Sequence, residues 1–158
     1  MVELDIKISA RDLYDYMLMH SYNSAAGIMG SALGAVMIIV AIAKSQWIFL
    51  VGGAALLLYL PWVLLIKSRQ QRVSNPVFQK PLHYCLDDRG LTISQGDSST
   101  TQVWDDMVKA VSTGRSIILY TSRVNATIFP RKQRGDQTAA VIECISTHMP
   151  AGKVKIRN

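Results

Sequence analysis

Two long apolar runs, at residues 25–43 and 47–66, are only three residues apart and constrain the fold more than any other feature of the sequence. Neither run contains a charged residue. As helices with about 1.5 Å of rise per residue, each would cover roughly 30 Å, which is the thickness of the hydrocarbon core of a bilayer. One such run is also typical of a buried helix in a soluble protein, but two joined by a short polar turn predict a transmembrane helical hairpin.

Positively charged residues at the ends of these runs predict the orientation of the hairpin. Lys67, Arg69 and Arg72 follow the second run, whereas the turn between the runs contains only Lys44. Because Lys and Arg accumulate on the cytoplasmic side of membrane spans, we expect both termini in the cytoplasm. The predicted location is the cell (inner) membrane, which the chain would cross twice.

The hairpin divides the chain into three parts. Residues 1–24 are expected to form an N-terminal strand and an interfacial helix, residues 25–66 the transmembrane hairpin, and residues 67–158 a cytoplasmic domain. The last part contains 14 Lys and Arg against 7 Asp and Glu, a net charge of +7, whereas residues 1–24 carry a net charge of −2. A basic domain next to anionic headgroups predicts membrane lipids as partners.

The N-terminal part combines a strand pattern with the start of a helix. Apolar and charged residues alternate over residues 2–8, and this period of two is typical of a half-buried strand. Ser9 and Asp12 have the spacing of a capping box, and apolar residues then recur at helical spacing through Tyr22. We expect this helix at the inner membrane surface. Because a single strand is not stable alone, it must pair with a sheet formed later in the chain.

The part after the hairpin predicts a β-rich domain closed by a helix. Asp136 has the position of a helix cap, and Val141 and Ile145 belong to an apolar stripe behind it. Together with the N-terminal strand, the segments below make a seven-stranded sheet and a C-terminal helix. The predicted fold is therefore an α+β membrane protein, in which a two-helix transmembrane hairpin is inserted into a mostly antiparallel β, pleckstrin-homology-like domain with a C-terminal helix. The six strand-like segments lie at residues 82–86, 91–95, 100–104, 107–112, 116–122 and 124–129.

Four short segments follow one another in a specific order and spacing within this layout. They are Arg89-Gly90-Leu91, Trp104-Asp105-Asp106-Met107-Val108, Ile117-Ile118-Leu119-Tyr120 and Ile128-Phe129-Pro130-Arg131-Lys132. In its layout and in these segments the chain resembles the YcxB-like family of bacterial membrane proteins, and the resemblance covers nearly the whole chain. It implies an N-terminal strand and helix, two membrane spans and a C-terminal β-rich domain, but no reaction, ligand or catalytic residue.

Small residues on the two apolar runs predict where the helices touch. Ala26, Gly30 and Gly34 follow one another at four-residue steps in the first run, and Gly52 and Gly53 offer the second run a matching surface. Helices in lipid approach closely through such small residues. Because the short turn forces the two helices to lie side by side, packing within one hairpin is the favoured interpretation, and a homodimer is the alternative.

Two histidines and two cysteines have spacings that could form a tetrahedral zinc site. His83 and Cys85 lie on one face of a predicted strand, and Cys144 and His148 lie one turn apart on the predicted helix. Contact between strand and helix would bring together ligand types that structural zinc prefers. The usual paired-ligand spacings are absent, however, and buried thiols beside a hydrogen-bonded histidine are the favoured alternative.

A cluster of positive charges before the last helix is a candidate anion site. Arg131, Lys132 and Arg134 precede the predicted cap, and Arg123 on the preceding turn could join them. Cations beside the amides of a helix start are able to hold a phosphate. A solvated basic loop is the favoured alternative. With the membrane nearby, the anion would be a lipid headgroup; no interleaved aromatic and basic pattern supports binding of nucleic acid.

Motifs of catalysis are missing from the sequence. It contains no Gly-x-Ser-x-Gly motif and no Gly-rich phosphate loop. Two adjacent carboxylate pairs, Asp87 with Asp88 and Asp105 with Asp106, fall in predicted turns. We therefore expect neither an enzyme nor a bound cofactor.

These observations predict a non-catalytic, membrane-anchored binding or scaffolding module. Its partner would be a membrane or cytoplasmic protein. Two alternatives stay open: a domain that binds anionic lipid headgroups, and an immunity-type protein that protects the cell against a membrane-acting toxin.

Overall fold

A computed structural model of the protein describes residues 1–122, 125–133 and 137–157. Within these residues the chain is an α+β protein with four α-helices and two four-stranded sheets. The helices are α1 (Ala10–Tyr22), α2 (Ala25–Lys44), α3 (Trp47–Ser74) and α4 (Gln137–His148). The strands are β1 (Val2–Ile6), β2 (Leu82–Leu86), β3 (Gly90–Gln95), β4 (Ser98–Val103), β5 (Lys109–Ser112), β6 (Ser116–Tyr120), β7 (Ala126–Pro130) and β8 (Val154–Lys155).

The first sheet joins the two sides of the helical hairpin. Its order is β1-β2-β3-β4, and every neighbouring pair is antiparallel. Leu4 of β1 lies opposite Tyr84 of β2, so the N-terminal strand pairs with the first strand after α3. The prediction that the hairpin is inserted after the first strand of a sheet is confirmed. Leu4 and Tyr84 are both buried, as the alternating pattern requires.

The second sheet has the order β7-β6-β5-β8. A short 3₁₀ turn at Trp104–Asp106 leads the chain out of β4 and towards β5, which pairs in this second sheet. The expected single sheet of seven strands is therefore wrong: the strands form two sheets. β8, which pairs with β5 in parallel, was not predicted, because a strand of two residues is too short to show a period. The start of the predicted strand 124–129, at Val124, lies outside the described residues.

One cluster of buried apolar side chains connects both sheets with α1 and α4. From α4, Val141 and Ile145 are in this core, as the predicted stripe requires. Leu13 of α1 also belongs to it. Burial of this apolar surface is what holds the sheets and helices together. The predicted cap of α4, Asp136, lies outside the described residues.

Helix α1 begins with the predicted capping box. The backbone N–H of Ser9 donates to the Asp12 carboxylate at 2.9 Å, and the backbone N–H of Asp12 donates to the Ser9 hydroxyl. Further along the helix, the rings of Tyr16 and His20 both lie against the ring of Tyr120 in β6. Their centroids lie 6.1 Å and 6.2 Å, respectively, from the centroid of the Tyr120 ring. Aromatic packing therefore fixes α1 on the second sheet.

Helices α2 and α3 form the predicted hairpin. Ser45, between them, has φ 52°, the left-handed conformation that ends α2. Both helices are long and apolar enough to cross a membrane.

α3 continues eight residues beyond the predicted apolar run and includes Ser68, which is fully buried. The hydroxyl of Ser68 donates to the Leu65 carbonyl at 2.9 Å, so this buried hydroxyl has a hydrogen-bond partner within the helix.

Candidate functional site

A basic cleft of about 580 Å³ lies between the C-terminal end of α1 and the β5–β8 edge of the second sheet. Met19 of α1 and Asn23, which directly follows α1, form one side of it. The opposite side carries four cationic side chains, three ammonium groups and one guanidinium. We call this site the basic cleft and define it by these cations, which are Lys109, Lys153, Lys155 and Arg157.

Backbone pairing places the cations of the basic cleft side by side. Lys109 is the first residue of β5, and Lys155 of β8 lies opposite Val111 in the parallel β5–β8 pair. The backbone N–H of Arg157 donates to the Ser112 hydroxyl at 2.8 Å. These contacts tie the end of the chain to β5, so that three cations of the C-terminal segment reach the same surface as Lys109.

Two of the four cationic side chains are held by contacts of their own. Lys153 Nζ donates to the Met107 carbonyl at 3.0 Å, and Lys109 Nζ lies 4.6 Å from the centre of the Tyr120 ring. Burial, with a contribution from Tyr16, raises the pKa of Tyr120 to about 12. The Tyr120 phenol therefore stays neutral at physiological pH. The face of its ring attracts the Lys109 ammonium group but does not neutralise the charge of that group.

The lining of the basic cleft, as far as the described residues show it, carries only positive charge. No described Asp or Glu lines it, and none of its four cations forms an ion pair with a described carboxylate. Four like charges around one cavity raise the local potential and attract an anion. The arrangement is suited to binding a phosphate or another polyanionic group.

The basic cleft opens next to the start of α2. Asn23 directly precedes Ser24, and the Ser24 side chain caps α2 by accepting the backbone N–H of Gly27 at 3.1 Å. Apolar surface lies beside the cations as well, since Val108 and Val111 also line the cleft. A ligand in the cleft would therefore contact both cations and apolar side chains at the base of the helical hairpin.

The predicted anion site is only partly described by the structure. Arg123 and Arg134 lie outside the described residues, and Lys132 is exposed. Arg131 is half-buried, and its guanidinium donates to the backbone carbonyl of Arg157. Arg131 thus holds the C-terminal segment that carries part of the basic cleft. Its role as an anion ligand stays a prediction.

Sequence reasoning missed the four cations of the basic cleft. A signal was present at the C-terminus, where Lys153, Lys155 and Arg157 alternate with Val154 and Ile156. Such alternation is typical of a strand that has one apolar and one cationic face. The side chains of Val154 and Ile156 do pack against the core, as that pattern implies.

The structure does not bring the predicted zinc ligands together. His83 Nδ1 lies 2.8 Å from a carboxylate oxygen of Asp5 on the neighbouring strand β1. On α4, the Sγ atom of Cys144 lies 3.9 Å from Nδ1 of His148. His83 and Cys85 alternate with buried residues of β2, so they face away from the core that α4 covers. Among the described residues, no three His, Cys, Asp or Glu could hold a metal ion together. The geometry that the zinc hypothesis required is therefore absent from that part of the chain.

His148 instead belongs to a corner built around Trp104. Its ring stacks on the Trp104 indole, with centroids 5.1 Å apart, and its Nδ1–H donates to the Cys144 carbonyl at 2.9 Å. The indole N–H donates to the Asp87 carbonyl at 2.9 Å. His148 Nε2 also lies 3.4 Å from Asp88. These contacts fasten the end of α4 to the β2–β3 turn, which is a structural role.

Three of the small residues chosen from the sequence, Gly34, Gly52 and Gly53, lie where α2 and α3 meet. A Cβ atom on Gly53 would lie 2.8 Å from the Gly34 carbonyl oxygen, and a Cβ atom on Gly52 would meet the Met37 side chain. Gly30, in contrast, has open space around it, and it lines a cavity of about 350 Å³ together with Ala26. The closest helix contact therefore forms within one hairpin and leaves the Ala26–Gly30 surface open.

Gly27 is a further glycine at a close contact, and the sequence pattern did not single it out. A Cβ atom at this position would lie 2.0 Å from the backbone oxygen of Ser21, so only glycine fits where α1 turns into α2. This contact sets the junction beside which the basic cleft opens.

The fold defines an α+β protein with two helices that are long and apolar enough to cross a membrane. Residues 86–143 match the family model described as YcxB-like protein, which confirms the resemblance to that family over this segment. The matched segment runs from the end of β2 into α4 and includes Lys109, but not the other three cations of the basic cleft. No curated protein and no solved structure matched the chain.

Proposed function

We propose that the protein is a two-span protein of the cell membrane whose cytoplasmic domain is a non-catalytic binding module. The observation that carries this proposal is the surface of α2 and α3. Large apolar side chains such as Ile42, Trp47 and Leu58 leave about two thirds or more of their surface exposed, with values of 74%, 74% and 67%. Lipid would solvate such a surface, whereas water would make it strongly unfavourable.

The two sheets support a pleckstrin-homology-like fold for the domain. Four antiparallel strands of one sheet are followed by three antiparallel strands of the second sheet and then by a helix, and the two-residue β8 joins the second sheet after that helix. The first strand comes from before the hairpin. Because β1 pairs with β2, both strands must lie on the same side of the membrane. The hairpin of α2 and α3 would then enter and leave the membrane from that side, and both termini of the chain would lie there.

The orientation rests on the distribution of charge. Lys67, Arg69 and Arg72 follow the apolar part of α3, and the turn at the other end of the hairpin contains Lys44 alone. Basic residues favour the cytoplasmic side of membrane spans. In this orientation the β-rich domain faces the anionic inner leaflet, and its net positive charge attracts it to that surface.

A protein partner and a lipid partner each have a surface on the domain. Strand β4 is an edge of the first sheet, and among the described residues it pairs only with β3, so a segment of another protein could add to its free edge. The basic cleft favours the second candidate, an anionic lipid headgroup. Because its position and its charge both suit that ligand, lipid binding is the better supported of the two.

Membrane insertion and orientation are tested together on the full-length chain. Cys85→Ser and Cys144→Ser are combined with either Gln46→Cys, in the turn of the hairpin, or Asp97→Cys, in the β3–β4 turn. We expect the protein to stay in the membrane fraction after alkaline carbonate. On intact cells, a membrane-impermeant maleimide should label the cysteine at position 46 and should reach the one at position 97 only after lysis. Release into the soluble fraction, or labelling at position 97 before lysis, would contradict the proposal.

A further inference from the structure

We infer that the basic cleft binds the phosphate headgroup of an anionic phospholipid from the leaflet on which the domain lies. This inference rests on the proposed membrane location and assigns the ligand of the domain. It places the anion on Lys109, Lys153, Lys155 and Arg157, a different surface from the cationic loop that the sequence suggested.

The charge of the basic cleft is complementary to that of a phosphate group. Three ammonium groups and a guanidinium line the basic cleft without a described carboxylate among them. These four cations repel one another, and the negative charge of a phosphate placed among them would attract each of them. Arg157 is able to present two N–H groups to two phosphate oxygens, and the lysines supply further point charges.

Contacts within the protein hold the basic cleft in shape before any ligand arrives. Lys153 is anchored on the Met107 carbonyl, and Lys109 lies over the Tyr120 ring. The backbone of Arg157 is fixed from two sides, by Ser112 and by Arg131. Because these groups are already ordered, less conformational entropy is lost when an anion binds.

The position of the basic cleft beside α2 favours a lipid over a free phosphate ion. Asn23 lines the basic cleft and lies two residues before the first residue of α2. If α2 crosses the membrane, the cleft opens at the depth of the headgroups. Met19, Val108 and Val111 add apolar surface that inorganic phosphate would not use, but that the glycerol and upper acyl atoms of a lipid would cover.

The size of the basic cleft fits one headgroup. Its volume of about 580 Å³ lies within the range of small-molecule sites, roughly 300–1,000 Å³. It is too small to enclose a whole diacyl lipid, so the acyl chains would stay in the bilayer beside α2 while the phosphate enters the cleft.

The test is a titration of the purified full-length protein in a zwitterionic detergent, read by calorimetry. The three ligands are a short-chain phosphatidylglycerol, phosphatidylcholine with the same chains, and inorganic phosphate. We expect phosphatidylglycerol to bind at least about tenfold more tightly than either of the others, since each cation near a phosphate adds favourable energy. Equal affinity for inorganic phosphate would contradict a lipid source, and equal affinity for phosphatidylcholine would contradict recognition of the anion.

A charge-matched pair of variants assigns the binding to the basic cleft. The cleft variant carries Lys109→Gln, Lys155→Gln and Arg157→Gln and keeps Lys153, whose ammonium holds a backbone carbonyl. The control variant, which loses the same charge from exposed residues outside the cleft, carries the three substitutions Lys80→Gln, Arg115→Gln and Lys132→Gln.

The cleft variant should lose at least about tenfold in affinity for phosphatidylglycerol, whereas the control should stay within about twofold of the unmodified protein. Equal losses in both variants, or none in either, would overturn the inference. Both variants should unfold near the temperature of the unmodified protein. If the cleft variant unfolds early, a charge-conserving variant with Lys109→Arg and Lys155→Arg should still bind phosphatidylglycerol. Loss of binding in the charge-conserving variant would also count against the inference. Carbonate extraction of the cleft variant separates the two proposals, because membrane insertion should persist when headgroup binding is lost.

Discussion

Arg131 donates its guanidinium hydrogen bond to the backbone carbonyl of Arg157, so one cation fixes the position of another. Arg131 follows β7, and Arg157 follows β8 at the opposite edge of the second sheet. The contact therefore crosses the end of that sheet and closes the C-terminal segment against it. A residue that the sequence offered as an anion ligand acts in the structure as a support for the basic cleft.

The first prediction concerns this support. Arg131→Gln should destabilise the C-terminal segment by about 1 kcal/mol, because a hydrogen bond from a charged donor to the Arg157 carbonyl is lost. Hydrogen exchange should become faster at the backbone N–H groups of Lys155 and Arg157 and stay unchanged in β2 and β3. Lys132→Gln, which removes an exposed neighbouring charge, is the matched control. Unchanged exchange in the Arg131 variant would show that the contact does not hold the segment.

The second prediction concerns the contact between α2 and α3. Gly53→Ala should destabilise the hairpin by about 1–3 kcal/mol, since the added Cβ would lie 2.8 Å from the Gly34 carbonyl oxygen and the helices must separate to admit it. Gly30→Ala should not destabilise it, because nothing lies within 4 Å of its Cβ position. Thermal unfolding in detergent compares the two variants. Equal midpoints would place the closest helix contact elsewhere.

The third prediction tests whether the open Gly30 surface serves a homodimer. If the chain dimerises through it, Gly30→Leu should shift the protein from dimer to monomer in detergent, as followed by sedimentation. If the small residues act only within one hairpin, the sedimentation of the variant and the unmodified protein should be the same. We expect the second result, because the close helix contact observed lies at Gly34 and Gly53.

The fourth prediction concerns acid stability at the β2–β3 turn. Hydrogen bonds from the backbone N–H groups of Gly90 and Arg89 lower the pKa of Asp87. A carboxyl whose pKa is lower in the folded state stabilises the fold above its unfolded pKa, about 3.8, and this contribution is lost as the pH falls through the lower folded value.

Melting temperatures between pH 5 and pH 3 should therefore fall less steeply for Asp87→Asn than for the unmodified protein. Asp97→Asn, in the exposed β3–β4 turn, is the control and should keep the slope of the unmodified protein. An identical slope for all three proteins would mean that these hydrogen bonds do not favour the charged carboxylate.

The fifth prediction concerns metal. Elemental analysis of the purified protein should find far less than one zinc per chain, and a chelator should leave the melting temperature unchanged, because the described His and Cys residues form no group that could hold an ion. A full equivalent of zinc that disappears in Cys144→Ser would revive the four-ligand hypothesis. Cys85→Ser would then have to act in the same way.

Much of the local structure could be predicted because its causes are local. The capping box of Ser9 and Asp12 begins α1 through contacts three residues apart, and the period of two in β2 places Tyr84 in the core. The hairpin follows from the length and the lack of charge of two runs. The placement of the four proposed zinc ligands could not be predicted in this way. The alternation of β2 defines its two faces, but the rest of the core decides which face α4 covers.

The sequence by itself determined where the helices and seven of the eight strands lie, since periodicity, caps and turn residues act within a few neighbours. Only the tertiary structure decided that the strands form two sheets and that a basic cleft exists. Its lining comes from the end of α1 with Asn23, from residues 108–112 and from residues 152–157. These segments meet because Tyr16 and His20 pack on Tyr120 while β8 pairs with β5. Contacts between such distant segments depend on how the whole core packs, and no local pattern records them.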